Sequence, residues 1–207
     1  MHGSLCVCAL IPRVVTRTRL LLVIHRFEAR KPSNTGRLAA ACLPNSEVIV
    51  RGHAGLPDVG LPASGGSQAV FLYPHEDAVP LSRFTGSLQP VTLIVPDGTW
   101  RQAFKVRQRI PGMSDIPCVS LPHDAPSLYR LRHEAHDHGL ATIEAIARAM
   151  GILEGAHVRH ALEHVFRAMV ERTLWSRGEI ATESVTGGVP LGAMRHDPQS
   201  GLARFTG

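Results

Sequence analysis

Four consecutive residues, Asp97-Gly98-Thr99-Trp100, place a carboxylate, a hydroxyl and a large flat ring within one turn of chain. A carboxylate at a strand end can take a proton from a weakly acidic N–H if burial raises its pKa toward working pH. The ring can flank a planar or cationic ligand. A structural reading fits the same residues, with Asp97 or Thr99 capping the following helix and Trp100 in the core. Further polar groups recur at the ends of other elements: His25 and Glu28, then Asn34 and Thr35, and later Thr142 and Glu144. For His25 alone, a structural role at the strand end is favoured. After Trp100 come Arg101, Lys105, Arg107 and Arg109, a basic series suited to phosphate.

Elements that would position these groups follow from hydrophobic patterning. Val91–Val95 is a β-branched run that reads as a strand buried on both faces, ended by Pro96. Trp100–Ile110 has helical character. Thr18–His25 is a second buried strand, followed by a helix from about Thr35 to Leu43 that Ser33 or Asn34 can cap. Glu47–Arg51, Gln68–Tyr73 and Pro117–Leu121 are further strands. Helices follow over 141–150, with Thr142 as N-cap, and over about 157–175, with Val158, Leu162, Val165 and Met169 inward. Alternating strands and helices imply an α/β domain with a mainly parallel sheet. Residues 177–207, rich in Gly, Thr and Ser, read as a loosely held tail after a domain over 1–176.

Bulk properties narrow the classes. The chain has 207 residues, 44% of them hydrophobic, enough for one packed domain. Net charge is +5, nearly all of the positive charge being arginine, since the only lysines are Lys31 and Lys105. That balance is compatible with nucleic-acid binding. No apolar run approaches the roughly 20 residues of a membrane span, and no signal-peptide layout is present, so a cytoplasmic protein is expected. Cys6, Cys8, Cys42 and Cys118 have no disulfide-scaffold spacing. Cys6 and Cys8 are half of a zinc site, and the remaining ligands are not promised by spacing, so no metal is expected. The histidines of 122–139, namely His123, His133, His136 and His138, read as a solvated loop. Gly52–Ser67 is too long for a tight connection and reads as functional or mobile. Neither the dinucleotide fingerprint nor a Walker loop occurs.

Several separated blocks together resemble the DTW-domain family. PDGTWRQA at 96–103 carries the Asp-x-Thr-Trp motif; HRFEARKPSNTGRLA at 25–39 is similar to the family's upstream His…Glu…Asn-Thr segment. YRLR at 129–132 with LATIEAIA at 140–147 is similar to its Thr-x-Glu-Ala signature, and FLYPHEDA at 71–78 to a further block. The resemblance spans about 6–170. It implies a SPOUT-like α/β fold, knotted near the cofactor site, and S-adenosylmethionine-dependent transfer of the 3-amino-3-carboxypropyl group to uridine N3 in tRNA, releasing methylthioadenosine. Under it, Asp97 is the base; Asn34, Thr35, Thr99, Trp100, Thr142 and Glu144 bind the co-substrate; Arg101, Lys105, Arg107 and Arg109 meet tRNA phosphates. No obligate protein partner is implied. The family's four-cysteine knuckle is represented only by Cys6 and Cys8, so either the start is too late or the metal has been lost. Two alternatives are a SPOUT-like RNA methyltransferase, which would present the methyl carbon, and a non-catalytic RNA-binding module.

Overall fold

The computed structural model describes residues 3–52, 60–61, 65–122, 126–129, 131, 139–196 and 203–205. Six strands form one all-parallel sheet: β1 (Arg19–His25), β2 (Ser46–Arg51), β3 (Gln68–Leu72), β4 (Val79–Pro80), β5 (Val91–Asp97) and β6 (Cys118–Ser120). Their spatial order is β2-β1-β5-β3-β6-β4. Two neighbouring interior strands, β1 and β5, carry the longest buried runs. Leu20–Ile24 of β1 and Val91–Val95 of β5 are buried throughout, as residues packed on both faces of a parallel sheet must be.

Strand residues divide by parity between two layers. Leu20, Leu22, Ile24, Leu93 and Val95 pack under α2 (Thr35–Cys42), α4 (Thr142–Glu154) and α5 (Ala156–Ser176). Leu21, Val23 and Ile94 face the other way, toward Val106 and Ile110 at the end of α3 (Trp100–Arg109). Truncating any one of these side chains to alanine is expected to cost about 2–5 kcal/mol. A four-residue helix, α1 (Arg26–Ala29), lies between β1 and α2.

This arrangement fixes where a site can form. β1 and β5 are neighbours, paired from Arg19↔Thr92 to Ile24↔Asp97. The chain leaving β1 goes to the α2 face, and the chain leaving β5 goes to the α3 face. Neighbouring parallel strands whose connections diverge leave a crevice at their carboxyl ends, where open α/β sheets bind ligands.

Several expectations are corrected. Pro96 does not end its strand; β5 runs on to Asp97, and pairing with β3 stops at Ile94. Beyond that point β5 is paired on one side only, where proline is tolerated. Ala141, not Thr142, is the N-cap of α4, because Glu144 reaches back to the Ala141 N–H at 2.8 Å and supplies the missing partner itself. Short α1 and β4 have too few residues to produce a periodic signal.

After α5, the segment over 178–193 is held rather than loose. Val185 and Ala193 pack with Leu5 and Trp175 in a small apolar cluster. Trp175 Nε1–H donates to Thr182 Oγ1 at 3.1 Å, and the Thr186 N–H donates to Glu171 at 2.6 Å. The antiparallel pair β7 (Met194–His196) and β8 (Ala203–Phe205) follows. The four loop histidines and most of 52–67 lie outside the described residues. Among the described residues, no helix is long and apolar enough to cross a membrane.

Candidate active site

Asp97 is the last residue of β5 and is buried, with 8% of its surface exposed. Its parity points it to the α2 and α4 side. There Oδ2 accepts from Asn34 Nδ2–H at 2.5 Å and Oδ1 accepts from the Thr142 hydroxyl at 2.6 Å. Asn34 is the N-cap of α2, its Oδ1 accepting from the Arg37 N–H at 2.7 Å. Thr142 is the first residue of α4. One carboxylate therefore joins the N-termini of two helices, where the backbone dipoles favour negative charge. A glycine is needed at position 36, since a Cβ there would lie 2.9 Å from Asp97 Oδ2 and 3.1 Å from Leu22 Cδ2.

Glu144, also buried at 5% exposure, supports the second wall. Oε2 accepts from the Ser127 hydroxyl at 2.5 Å and from the Ala141 N–H, while Oε1 accepts from the Leu128 N–H at 2.7 Å. Three of a carboxylate's roughly four lone-pair sites are thus used in seating Ser127–Leu128 on α4.

On the opposite side of the crevice, Thr99 caps α3 in a full capping box. Gln102 N–H donates to Thr99 Oγ1 at 3.3 Å, and the Thr99 N–H donates to Gln102 Oε1 at 2.8 Å. The amide nitrogen of Gln102 then lies 3.1 Å from Nδ1 of His25, the last residue of β1. Burial, and secondarily the Arg26 guanidinium, lower the pKa of His25, with Glu28 opposing them. A narrow cavity of about 30 Å³ between β1, β2, β5 and α3 is lined by His25, Arg51, Asp97 and Gln102 among others. It has room for about one water.

These contacts unite sequence blocks around residues 34, 97 and 142, over gaps of 63 and 45 residues, at one carboxylate. The DTW domain profile matches residues 1–174. The chain belongs to the DTW-domain family. Curated proteins named tRNA-uridine aminocarboxypropyltransferase 2 are similar to it. That of Drosophila melanogaster is 26% identical over 160 residues, covering 72% of this chain and 62% of the relative. Those of Macaca fascicularis and Mus musculus are 29% and 30% identical over 159 residues, each covering 73% of this chain and 53% of the relative. The chain thus spans between half and two thirds of the length of these relatives. No solved structure matches it.

In this DTW domain the residues expected at the site are not equally placed. Asn34, Thr142 and Asp97 meet directly, with the buried Thr35 beside Asn34. Thr99 is occupied as a helix cap. Trp100, the first residue of α3, is 45% exposed, its ring edge against Tyr73 at 5.9 Å between centroids, so it is not a core residue. Arg101, Lys105 and Arg109 recur at four-residue spacing on one stripe of α3. Arg107 leaves that stripe and turns inward, donating to Cys118 Sγ at 2.8 Å and to the Ser114 carbonyl at 3.5 Å. Cys6 and Cys8 bring their sulfurs to 2.7 Å on the surface, while Cys42 and Cys118 are buried.

Three contributors escaped sequence reasoning: Gly36, Ser127 and Gln102. Only Gln102 left a readable signal, the Thr-x-x-Gln spacing of a capping box.

Proposed function

We propose that this protein transfers the 3-amino-3-carboxypropyl group of S-adenosylmethionine to N3 of a uridine in tRNA. The observation that carries the reading is the convergence of Asn34, Asp97 and Thr142 on one buried carboxylate in the β1/β5 crevice. The names of the relatives support its coarser part, transfer of an aminocarboxypropyl group to a uridine of tRNA. The residues also suit the co-substrate, which carries a sulfonium and an ammonium. Two buried carboxylates, Asp97 and Glu144, with the lone pairs of the Thr142 hydroxyl, form an acceptor-rich wall suited to cations.

S-adenosylmethionine supplies a carbon already activated by the sulfonium, so positioning dominates the protein's contribution. Asp97 receives the N3 proton as the N3–C bond forms and the C–S bond breaks, leaving methylthioadenosine. Asn34 and Thr142 hold the carboxylate in one orientation and so act through it. Thr35 lies along the same wall, and Glu144 seats Ser127–Leu128 with one acceptor site left for the ammonium. Trp100 offers its face at the rim; Thr99 serves by fixing the start of α3. Arg101, Lys105 and Arg109 meet backbone phosphates on the outside of the same helix. Arg107, held inward, contributes least to that contact. The SPOUT-like, knotted form of the fold belongs to the same proposal.

The test is product identity. Purified protein incubated with S-adenosylmethionine and unmodified tRNA should release methylthioadenosine, measured by liquid chromatography with mass detection. S-adenosylhomocysteine as the main product would make the protein a methyltransferase, and no cofactor binding by calorimetry would leave an RNA-binding module.

A further inference from the structure

His25 lines the crevice and has no part in the proposed reaction, and its hydrogen bonds determine where its proton sits. Nδ1 accepts from the backbone N–H of Phe27 at 3.4 Å, a group that can only donate. The second neighbour of Nδ1 is the Gln102 side-chain amide at 3.1 Å. Its orientation is fixed independently, because Gln102 Oε1 is taken by the Thr99 N–H at 2.8 Å. The NH₂ group therefore faces His25. Two donors converge on Nδ1, so the neutral ring carries its proton on Nε2.

Nε2 has no hydrogen-bond partner among the described residues, and the backbone opposite keeps it open. Gly52 follows β2 at φ +82, and a Cβ at that position would lie 2.9 Å from Nε2. A side chain there would crowd the donor; glycine does not. Among the described residues, the charged and titratable groups around the ring are Arg26 and Glu28 on α1, Arg51 at the end of β2 and Asp97 on β5. Burial, and after it Arg26, disfavour the imidazolium, which leaves a neutral N–H donor near neutral pH.

We propose that His25 is a catalytic residue that presents Nε2–H, held in this tautomer by the Thr99–Gln102 capping box, to a carbonyl oxygen of the acceptor base. For a uridine, charge grows on O2 and O4 as N3 gives up its proton, and a fixed neutral donor at one of them stabilises that charge without competing for the proton. Asp97 and His25 then divide the work: the carboxylate takes the proton, and the imidazole holds the oxygen. Gln102 is a positioning residue. The identity of the acceptor rests on the transferase reading; the tautomer does not.

Two substitutions separate this role from a structural one. His25→Asn places an acceptor near the Nδ1 position, and asparagine is a good N-cap, but it has no group where Nε2–H was. His25→Gln can extend an N–H to that place and caps poorly. The proposal expects turnover of His25→Asn to fall about 10²-fold, the scale of one lost preorganised donor, with S-adenosylmethionine affinity unchanged and partial recovery in His25→Gln. A purely structural His25 gives the reverse order, and wild-type turnover in His25→Asn overturns the proposal. Long-range ¹⁵N–¹H spectra of histidine-labelled protein, assigned by the signal lost in His25→Asn, should show an unprotonated Nδ1 and a protonated Nε2. Gln102→Glu keeps the reciprocal cap yet replaces the donor by an acceptor, so Nδ1 should become protonated. A proton on Nδ1 in the wild type refutes the donor assignment alone. Wild-type protein that releases no methylthioadenosine from tRNA and S-adenosylmethionine refutes the transferase reading, and the uracil role with it.

Discussion

Two buried charges tie this chain together, and they do so differently. Asp97 accepts from two side chains, Asn34 and Thr142, at the mouth of a crevice. Arg172, in the last turns of α5, donates to three backbone carbonyls: Gly188 at 2.9 Å, Gly187 at 3.2 Å, and Cys6. Its guanidinium binds the N-terminal segment and the segment after α5 to one helix, beside the Leu5–Trp175–Val185–Ala193 cluster. Carbonyls are fixed acceptors supplied by any sequence, so such a site specifies shape. Side-chain donors must be chosen residue by residue, and they can be redirected when a ligand arrives. On the proposed reaction the anion serves function, while the cation serves cohesion.

The strongest test of that division is Asp97→Asn. The introduced amide can keep its oxygen toward Asn34 and turn its NH₂ to Thr142, whose hydroxyl can reverse and accept. Folding should therefore survive, with Tm nearly unchanged. If the carboxylate takes the N3 proton, turnover should fall by roughly 10²–10⁴ while S-adenosylmethionine and tRNA still bind. Turnover near wild type would make Asp97 a tie like Arg172.

Arg172→Met supplies the mirror image. Methionine keeps the aliphatic stem and removes the donors, leaving three carbonyls without a partner. The expected cost is about 2–4 kcal/mol, a fall in Tm of roughly 5–15 °C for a chain of this length. Turnover per folded molecule, at a temperature where the variant is folded, should match wild type. A specific loss of turnover would mean that the N-terminal segment reports to the crevice.

The same contrast explains what was legible in the sequence. Buried strands announce themselves as apolar runs, and β1 and β5 fall within two residues of where Thr18–His25 and Val91–Val95 place them. Asn34 as cap of α2 follows from residue type at a helix start. That Asp97 reaches both Asn34 and Thr142 does not follow, because it depends on the parity of β5 and on which face α2 and α4 occupy. Neither property is local. Arg172 was illegible for a related reason: its partners are backbone carbonyls of Cys6, Gly187 and Gly188, whose side chains say nothing about them. Weak periodicity after residue 177 reads as looseness when its cohesion comes from an arginine on another element. The basic series on α3 was half legible, since four-residue spacing selects Arg101, Lys105 and Arg109, but only the structure turns Arg107 toward Cys118.

That last distinction gives a finer test on the surface of the crevice's own helix. Lys105→Ala and Arg109→Ala should each weaken tRNA binding and reduce the log–log salt slope by about 0.7–0.9, as one phosphate contact does. Arg107→Ala should leave the slope unchanged and lower stability slightly. S-adenosylmethionine affinity should be constant across all three. Equal slopes for wild type and all variants would make the basic stripe a solvated face.

The smallest effect is expected at the pair that looks most like a metal site. Cys6 and Cys8 are exposed, with sulfurs 2.7 Å apart, and the other cysteines, Cys42 and Cys118, are buried in separate apolar clusters. Burial pushes the Cys42 thiol up to about 11, away from the thiolate a metal requires. Two thiolates leave a structural zinc site half empty, and such a site stabilises a fold only when its ligand set closes. The segment bearing them is held through the Cys6 carbonyl, which accepts from Arg172 and which a side-chain change leaves in place. Cys6→Ser with Cys8→Ser should therefore alter neither Tm nor turnover beyond experimental error. Stoichiometric zinc in purified wild type, lost in the double variant together with several degrees of Tm, would show that metal shares with Arg172 the task of holding the N-terminal segment.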